Sequence, residues 1–202
     1  MPKTQDILAG LHTIANNYKV FAIIWHVIFY GLIIALVLNW MPSNRLLGTL
    51  LCIPLFSVAI FAWLTGNPFN GTLFSIAVIL ILIFGLRVSS LAIGVSPLPF
   101  LLIGIIMVVF GLVYPHFIET GSVFNYLYAS PVGLIPCPTL AILIGFILVF
   151  NGFGSLSITL IFIIFGLFYG IFGALRLKVH LDIFLIFGSL ALLIKYFLLL
   201  KN

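Results

Sequence analysis

From Val20 to Trp40 the chain runs for twenty-one residues without an Asp, Glu, Lys or Arg. That run limits the possible folds more than any other feature. A bilayer-spanning helix needs about 20 mostly apolar residues, whereas a helix on the surface of a soluble domain keeps a polar face. Further apolar runs follow at Leu46–Leu64, Asn70–Leu86, Leu91–Tyr114, Thr139–Phe153, Leu156–Leu175 and Ile183–Leu200. In lipid each backbone N–H and C=O must be paired within the segment, so continuous runs predict helices. A barrel would need alternating polarity, which these runs lack. The expected fold is all-α: a polytopic helical membrane bundle of about seven transmembrane helices. Six is the alternative, because the run at Thr139–Phe153 is short enough to be re-entrant. Val20–Trp40 is too long for a signal-peptide core of about 7–15 residues and no small-residue cleavage site follows it, so it is expected to stay as an anchor.

Composition supports lipid as the main solvent. Of 202 residues, 64% are hydrophobic and 5% charged, against about 25% charged in soluble domains. The net charge of +5 comes from basic residues scattered singly between the runs. There they suit headgroups, and they form no face that could track phosphates, so the expected partner is the bilayer and not nucleic acid. A homo-oligomer or a larger membrane complex stays open. Cys52 and Cys137 make no disulfide framework, and the sequence requires no cofactor.

Two domains of unequal size are expected: an interfacial amphipathic segment over residues 1–19 and a single transmembrane helical domain over 20–202. Between Thr4 and Lys19, Ile7, Leu8, Leu11, Ile14, Ala15 and Tyr18 recur at helical spacing. Asp6, His12, Thr13, Asn16, Asn17 and Lys19 take the other side, and Thr4 is placed to cap. Such a helix lies in the interface or packs on the protein's own surface. Pro54 is expected to kink the second span. Ser96-Pro97-Leu98-Pro99 begins or breaks the fourth. Lys195, inside the last run, is expected to snorkel to the membrane face. Phe69-Asn70-Gly71 with Ile83-Phe84-Gly85-Leu86, set against Phe150-Asn151-Gly152 with Ile164-Phe165-Gly166-Leu167, has the look of an inverted repeat.

Seven crossings would bring the rarer groups to the face that holds the N-terminus. His26, His116, Glu119, Cys137, His180 and Asp182 are the candidate ligand or metal positions, because imidazole, thiolate and carboxylate are the usual metal donors. No HxxxH, CxxC or ExxH spacing fixes two of them on one helix. His26 bonds a neighbouring helix or carries a proton or ligand. No second histidine lies at its depth to complete a haem site.

The element Pro136-Cys137-Pro138-Thr139 ends the longest connection, Pro115–Pro138. Pro138 suits a helix start, and the flanking prolines would hold Cys137 extended. Cys137 is a reactive or ligating thiol, or a small residue filling a tight turn. Gly133-Leu134-Ile135-Pro136-Cys137-Pro138-Thr139 resembles a family of uncharacterised bacterial polytopic membrane proteins, domain-of-unknown-function family 6064. Tyr114-Pro115, Asn67-Pro68 with Asn70, and Asp182 before the last run look similar too. Glu119-Thr120-Gly121-Ser122 departs from the Gly-His pair expected there, and Leu140-Ala141 from a second Thr. The resemblance implies a bacterial inner membrane and no particular activity.

For function, a small-solute or ion transporter-like role ranks first. A non-catalytic accessory subunit of a membrane complex is the alternative. A metal- or thiol-dependent membrane protein using the His/Cys/acid cluster comes next. No motif identifies an enzyme.

Overall fold

The computed structural model describes residues 3–119 and 121–201. Thr120 of the Glu119–Ser122 departure, Met1 and Pro2 of the interfacial segment, and the final Asn202 lie outside the described residues. The described chain is helical. Its only pairing of β type is an isolated bridge between Ser43 and Ala92.

Helix α1 (Thr4–Asn17) precedes α2 (Lys19–Val37), α3 (Asn44–Leu50), α4 (Cys52–Leu64) and α5 (Pro68–Gly85). Next come α6 (Leu98–Val113), a short α7 (Tyr126–Ala129), α8 (Pro136–Val149), α9 (Leu156–Ile171) and α10 (Ile183–Leu200). Each apolar run therefore contains a helix. Five stretches are long and apolar enough to cross a membrane: Lys19–Val37, Asn44–Leu64, Pro68–Gly85, Leu156–Arg176 and His180–Leu200. Helices α6 and α8 are apolar but shorter. At 1.5 Å per residue α8 extends only about 21 Å, less than the roughly 30 Å hydrocarbon layer.

Helix α8 is the centre of the molecule, with twelve of its fourteen residues buried. It packs tightly against α6 because glycines remove the intervening side chains. A Cβ on Gly104 would lie 2.7 Å from the carbonyl oxygen of Gly145, and one on Gly111 would lie 2.7 Å from that of Pro138. Helix association in lipid depends on such close approach, since apolar burial gives no drive there. The outer helices α2, α4, α5, α9 and α10 turn large side chains such as Val27, Ile53, Ile79, Ile164 and Phe187 outward.

Several sequence expectations are corrected. Thr4 does not cap α1. It lies inside the first turn, and its hydroxyl reaches the carbonyl of Arg176. The fourth run is helical only from Leu98. Ahead of it the chain folds back on α3, with Asn44 N–H donating to Leu91 O at 2.8 Å and Ile93 N–H to Pro42 O at 3.0 Å. Pro97 and Pro99 explain the late start, since proline suits the first turn and drives the residue before it out of the α region. Pro54 does interrupt its span. Helix α3 stops at Leu50, whose carbonyl a proline at 54 cannot bond, and the helix resumes after Leu51.

The repeat has no conformational counterpart. Phe69-Asn70-Gly71 forms the first turn of α5, capped by the Asn67 side chain. Phe150-Asn151-Gly152 leads instead into four successive left-handed residues, Asn151 to Gly154, with φ of 52, 69, 50 and 63°. Ile83–Leu86 ends α5, whereas Ile164–Leu167 lies within α9.

Candidate functional site

The site is built where α8 begins. Ile135 is extended (φ −125°, ψ 157°), as a residue before proline must be, and Pro136 opens the helix. Cys137 is therefore in the first helical turn, not in the extended backbone expected from its flanking prolines. Pro138 is tolerated there because the first-turn N–H groups have no helical acceptor. Thr139 locks the turn. Its hydroxyl donates to Ile135 O at 2.8 Å and accepts from Gly133 N–H at 2.8 Å. Gly133 needs its glycine, for its φ is +72° and a Cβ would overlap the Trp25 ring.

Two further elements deliver the partners. Tyr114, fully buried, ends α6. Asp182, only 2% exposed, ends the short turn His180–Asp182 before α10. Gly173 makes room for it, since a side chain there would overlap the Asp182 carboxylate. Gly173 belongs to a widened helical turn, Phe172–Arg176, that ends the α9 span. The Tyr114 hydroxyl donates to Asp182 Oδ1 at 2.7 Å, and the Cys137 thiol donates to Oδ2 at 3.2 Å. Asp182 thus accepts from two neutral side chains. Among the described residues it has no ion pair; the only one is His12 Nε2 with Glu119 Oε1 at 3.6 Å.

Cys137 and Asp182 line a cleft of about 460 Å³. Helix α1 forms one wall through Ile7, Leu11 and Ile14, and Phe69 and Phe172 line another part. Asn70 and Tyr169 add polarity, the Tyr169 hydroxyl donating to Asn70 Oδ1 at 2.9 Å. Asp6 and Arg176, both exposed, also line it. Of the two placements the sequence allows α1, the structure shows it packed on the protein, with Leu11, Ile14 and Ala15 buried.

The remaining candidates lie apart from this pair. His26 is buried, its ring nitrogens against the carbonyl oxygens of Ala22 (2.8 Å) and Leu112 (2.9 Å), which ties α2 to α6. Glu119 pairs with His12, and its N–H donates to the Asn16 side chain at 2.9 Å. His116 is half-buried nearby. Burial, and next the neighbouring His12, holds its imidazole below the ordinary value. His180 is exposed. No group of three or more His, Cys, Asp or Glu among the described residues is placed to hold a metal ion.

A second polar centre was not legible as one. Lys195 does not snorkel to the membrane face; it is 2% exposed. Its ammonium donates to Leu148 O at 3.0 Å and to the Ser96 hydroxyl, and it lies 5.4 Å from the Phe100 ring. Ser96 in turn bonds Leu148 O through its hydroxyl, and Val149 O through its N–H at 2.8 Å. The nearest sequence signal is Ser96 beside Pro97, which locally marks only where the fourth helix begins or breaks. Tyr114, Asn70 and Tyr169 were likewise missed as site residues, because lone polar groups inside apolar runs usually face a neighbouring helix.

Compared with protein-family models, with curated proteins and with solved structures, the chain finds no match.

Proposed function

We propose that this chain is an integral membrane protein, transporter-like in character, that binds a small solute at one face of the bilayer in the cleft floored by Asp182 and Cys137. One observation carries the reading: a buried acid, in a segment apolar enough to cross the membrane, lines a cleft and has no ion-pair partner among the described residues, the cleft's one cation being the exposed Arg176. A buried charge without a partner is costly, and an ionisable residue at membrane depth is a functional group by default. The two donors Tyr114 and Cys137 orient the carboxylate without neutralising it. A solute bringing a positive charge or a hydrogen-bond donor would complete the site.

The thiol-dependent reading shares this site, since Cys137 is the group next to the acid. Kinship with family 6064 belongs to the same proposal; its support is the Pro136–Thr139 motif that places Cys137, and it brings no activity with it.

The test is alkylation of Cys137 by a small maleimide in intact membranes, in a Cys52→Ala background. An open cleft predicts modification without denaturant, and bulk filling the cleft from α1, as in Gly10→Trp, should slow it at least tenfold. A Cys137 that reacts only after denaturation would defeat the reading.

A further inference from the structure

We infer that the ligand of this cleft is a single-chain cationic amphiphile, its ammonium head at Asp182 and its chain along α1. The inference rests on the cleft reading above and adds the ligand's class.

The head is set by charge and by donors. Asp182 offers two carboxylate oxygens, each holding one protein donor and each with capacity for another. An ammonium supplies both the missing donors and the missing charge. Beside it, Asn70 spends Oδ1 on Tyr169, while its Nδ2 finds no hydrogen-bond partner among the described residues. No buried side-chain nitrogen or oxygen among the described residues lacks a partner. The Asn70 amide therefore reaches open space, and Asn70 lines this cleft. The cleft thus presents an acid with no ion-pair partner among the described residues and one free donor, which matches an amine carrying an adjacent oxygen.

The chain is set by the walls. An amphipathic helix at a bilayer surface ordinarily turns its apolar face to lipid. Here Ile7, Leu11 and Ile14 turn that face into the cleft, opposite Phe69 and Phe172. Gly10, on the same helix, has no atom within 4 Å of where a Cβ would stand, so the wall is not closed by packing. Thr65 and Asn67 add polar groups beside Asn70, and Asp6 and Arg176 add charged ones, but much of the remaining lining is apolar. A fully polar solute would leave the apolar lining uncovered, whereas a hydrocarbon chain covers it.

The experiment uses the full chain in nanodiscs with four probes at equal low mole fraction: dodecylamine, dodecanol, dodecanoate and ethanolamine. Two readouts run in parallel, the rate of Cys137 alkylation (Cys52→Ala background) and the thermal unfolding midpoint. Dodecylamine should slow alkylation at least tenfold and raise the midpoint, dodecanol should act more weakly, and dodecanoate and ethanolamine should do neither. Asp182→Asn should abolish the advantage of the amine over the alcohol. Equal protection by ethanolamine would overturn the chain assignment. Equal protection by dodecanoate would overturn the head assignment. Neither result touches the cleft itself, which the maleimide reaction without probe tests. If Cys137 proves unreactive, the unfolding midpoint still decides: no rise with dodecylamine in the wild type ends the inference.

Discussion

The two ends of α8 hold the only charged side chains buried among the described residues, Asp182 and Lys195, and they use them differently. Asp182 immediately precedes α10 and Lys195 lies within it, and α10 runs alongside α8 in the same direction. Asp182 meets its first turn and Lys195 its last carbonyls. The signs suit the helix macrodipole, negative at the N-terminus and positive at the C-terminus. At the C-terminal end the charge is consumed by backbone. Lys195 and Ser96 together bond Leu148 O, and Ser96 also accepts from Asn151 N–H at 3.0 Å. At the N-terminal end no backbone group meets the acid. Two neutral side chains hold it, and the space beyond is open. A charge spent on helix carbonyls is structural, whereas a charge steered by side chains toward a cleft is available to a ligand.

Reversing the roles would break that comparison, and Lys195 should give the largest effect. Lys195→Met removes the charge-assisted hydrogen bonds to buried Leu148 O and Ser96, each of which keeps its other partner, at about 1.5–3 kcal/mol. Asp182→Asn is nearly isosteric and keeps an acceptor for one of Tyr114 and Cys137, so one donor loses its partner and the cost should lie at the low end of the unsatisfied-donor range, about 1 kcal/mol. Unfolding in mixed micelles measures both. Only the Asp182 variant should change Cys137 alkylation in the presence of an amine. A more destabilising Asp182→Asn would mean that the acid, too, is chiefly structural.

Next comes the packing that places the acid. Gly173→Ala puts a methyl group into the Asp182 carboxylate and must push it away from Tyr114 and Cys137. Overpacking of this kind costs about 1–3 kcal/mol. The sharper sign is local: Cys137 should change its alkylation rate several-fold, while exchange protection of the Leu148 and Val149 region stays as in the wild type. A uniform loss of protection at both ends of α8 would show that they are not independent.

What the residues revealed beforehand follows from physical range. The runs are legible because lipid disfavours charge over about 20 residues, and a helix start near Pro97 is legible because proline acts on its neighbours, whereas the start at α8 falls at Pro136, two residues before the Pro138 that the sequence favours. Cys137 and Asp182 were named as candidates, but their meeting across forty-five positions was not readable. It depends on Gly173 and on the widened turn after α9, features with no local signature. The buried position of Lys195 escapes a local reading for the same reason. Snorkelling is the default for a lone lysine, and only the fold-back of residues before Leu98 brings Ser96 within its reach. The supposed repeat failed because shared letters carry no conformation: Asn70 follows a capping Asn67, while Asn151 follows a finished helix.

Tyr114→Phe sharpens the acid's end at smaller cost. It removes one of two donors to Asp182 and leaves the ring packed, for about 1 kcal/mol. The freed oxygen should tighten amine binding or leave it unchanged; a tenfold loss would assign Tyr114 to holding the carboxylate in place.

The smallest effect lies at the rim, where α1 meets the loop after α6. His116 titrates below the ordinary imidazole value because it is half-buried, with His12 beside it. Above an ordinary value of about 6.5 the ring is neutral in both folded and unfolded chains, so stability there is unaffected by pH. As pH falls below that, the unfolded chain takes up a proton that the folded one resists, and the rim loses stability until the folded pKa is passed. Asn16 reaches the Phe117 carbonyl at 2.9 Å on the same strip, so loosening should free α1, the wall of the cleft. Cys137 alkylation, corrected for the pH dependence of a free thiol, should therefore rise modestly between pH 7 and 5.5 in the wild type. His116→Gln removes the titrating ring and should flatten that rise, whereas Lys195→Met should leave it intact, because the sealed end of α8 takes no part in it.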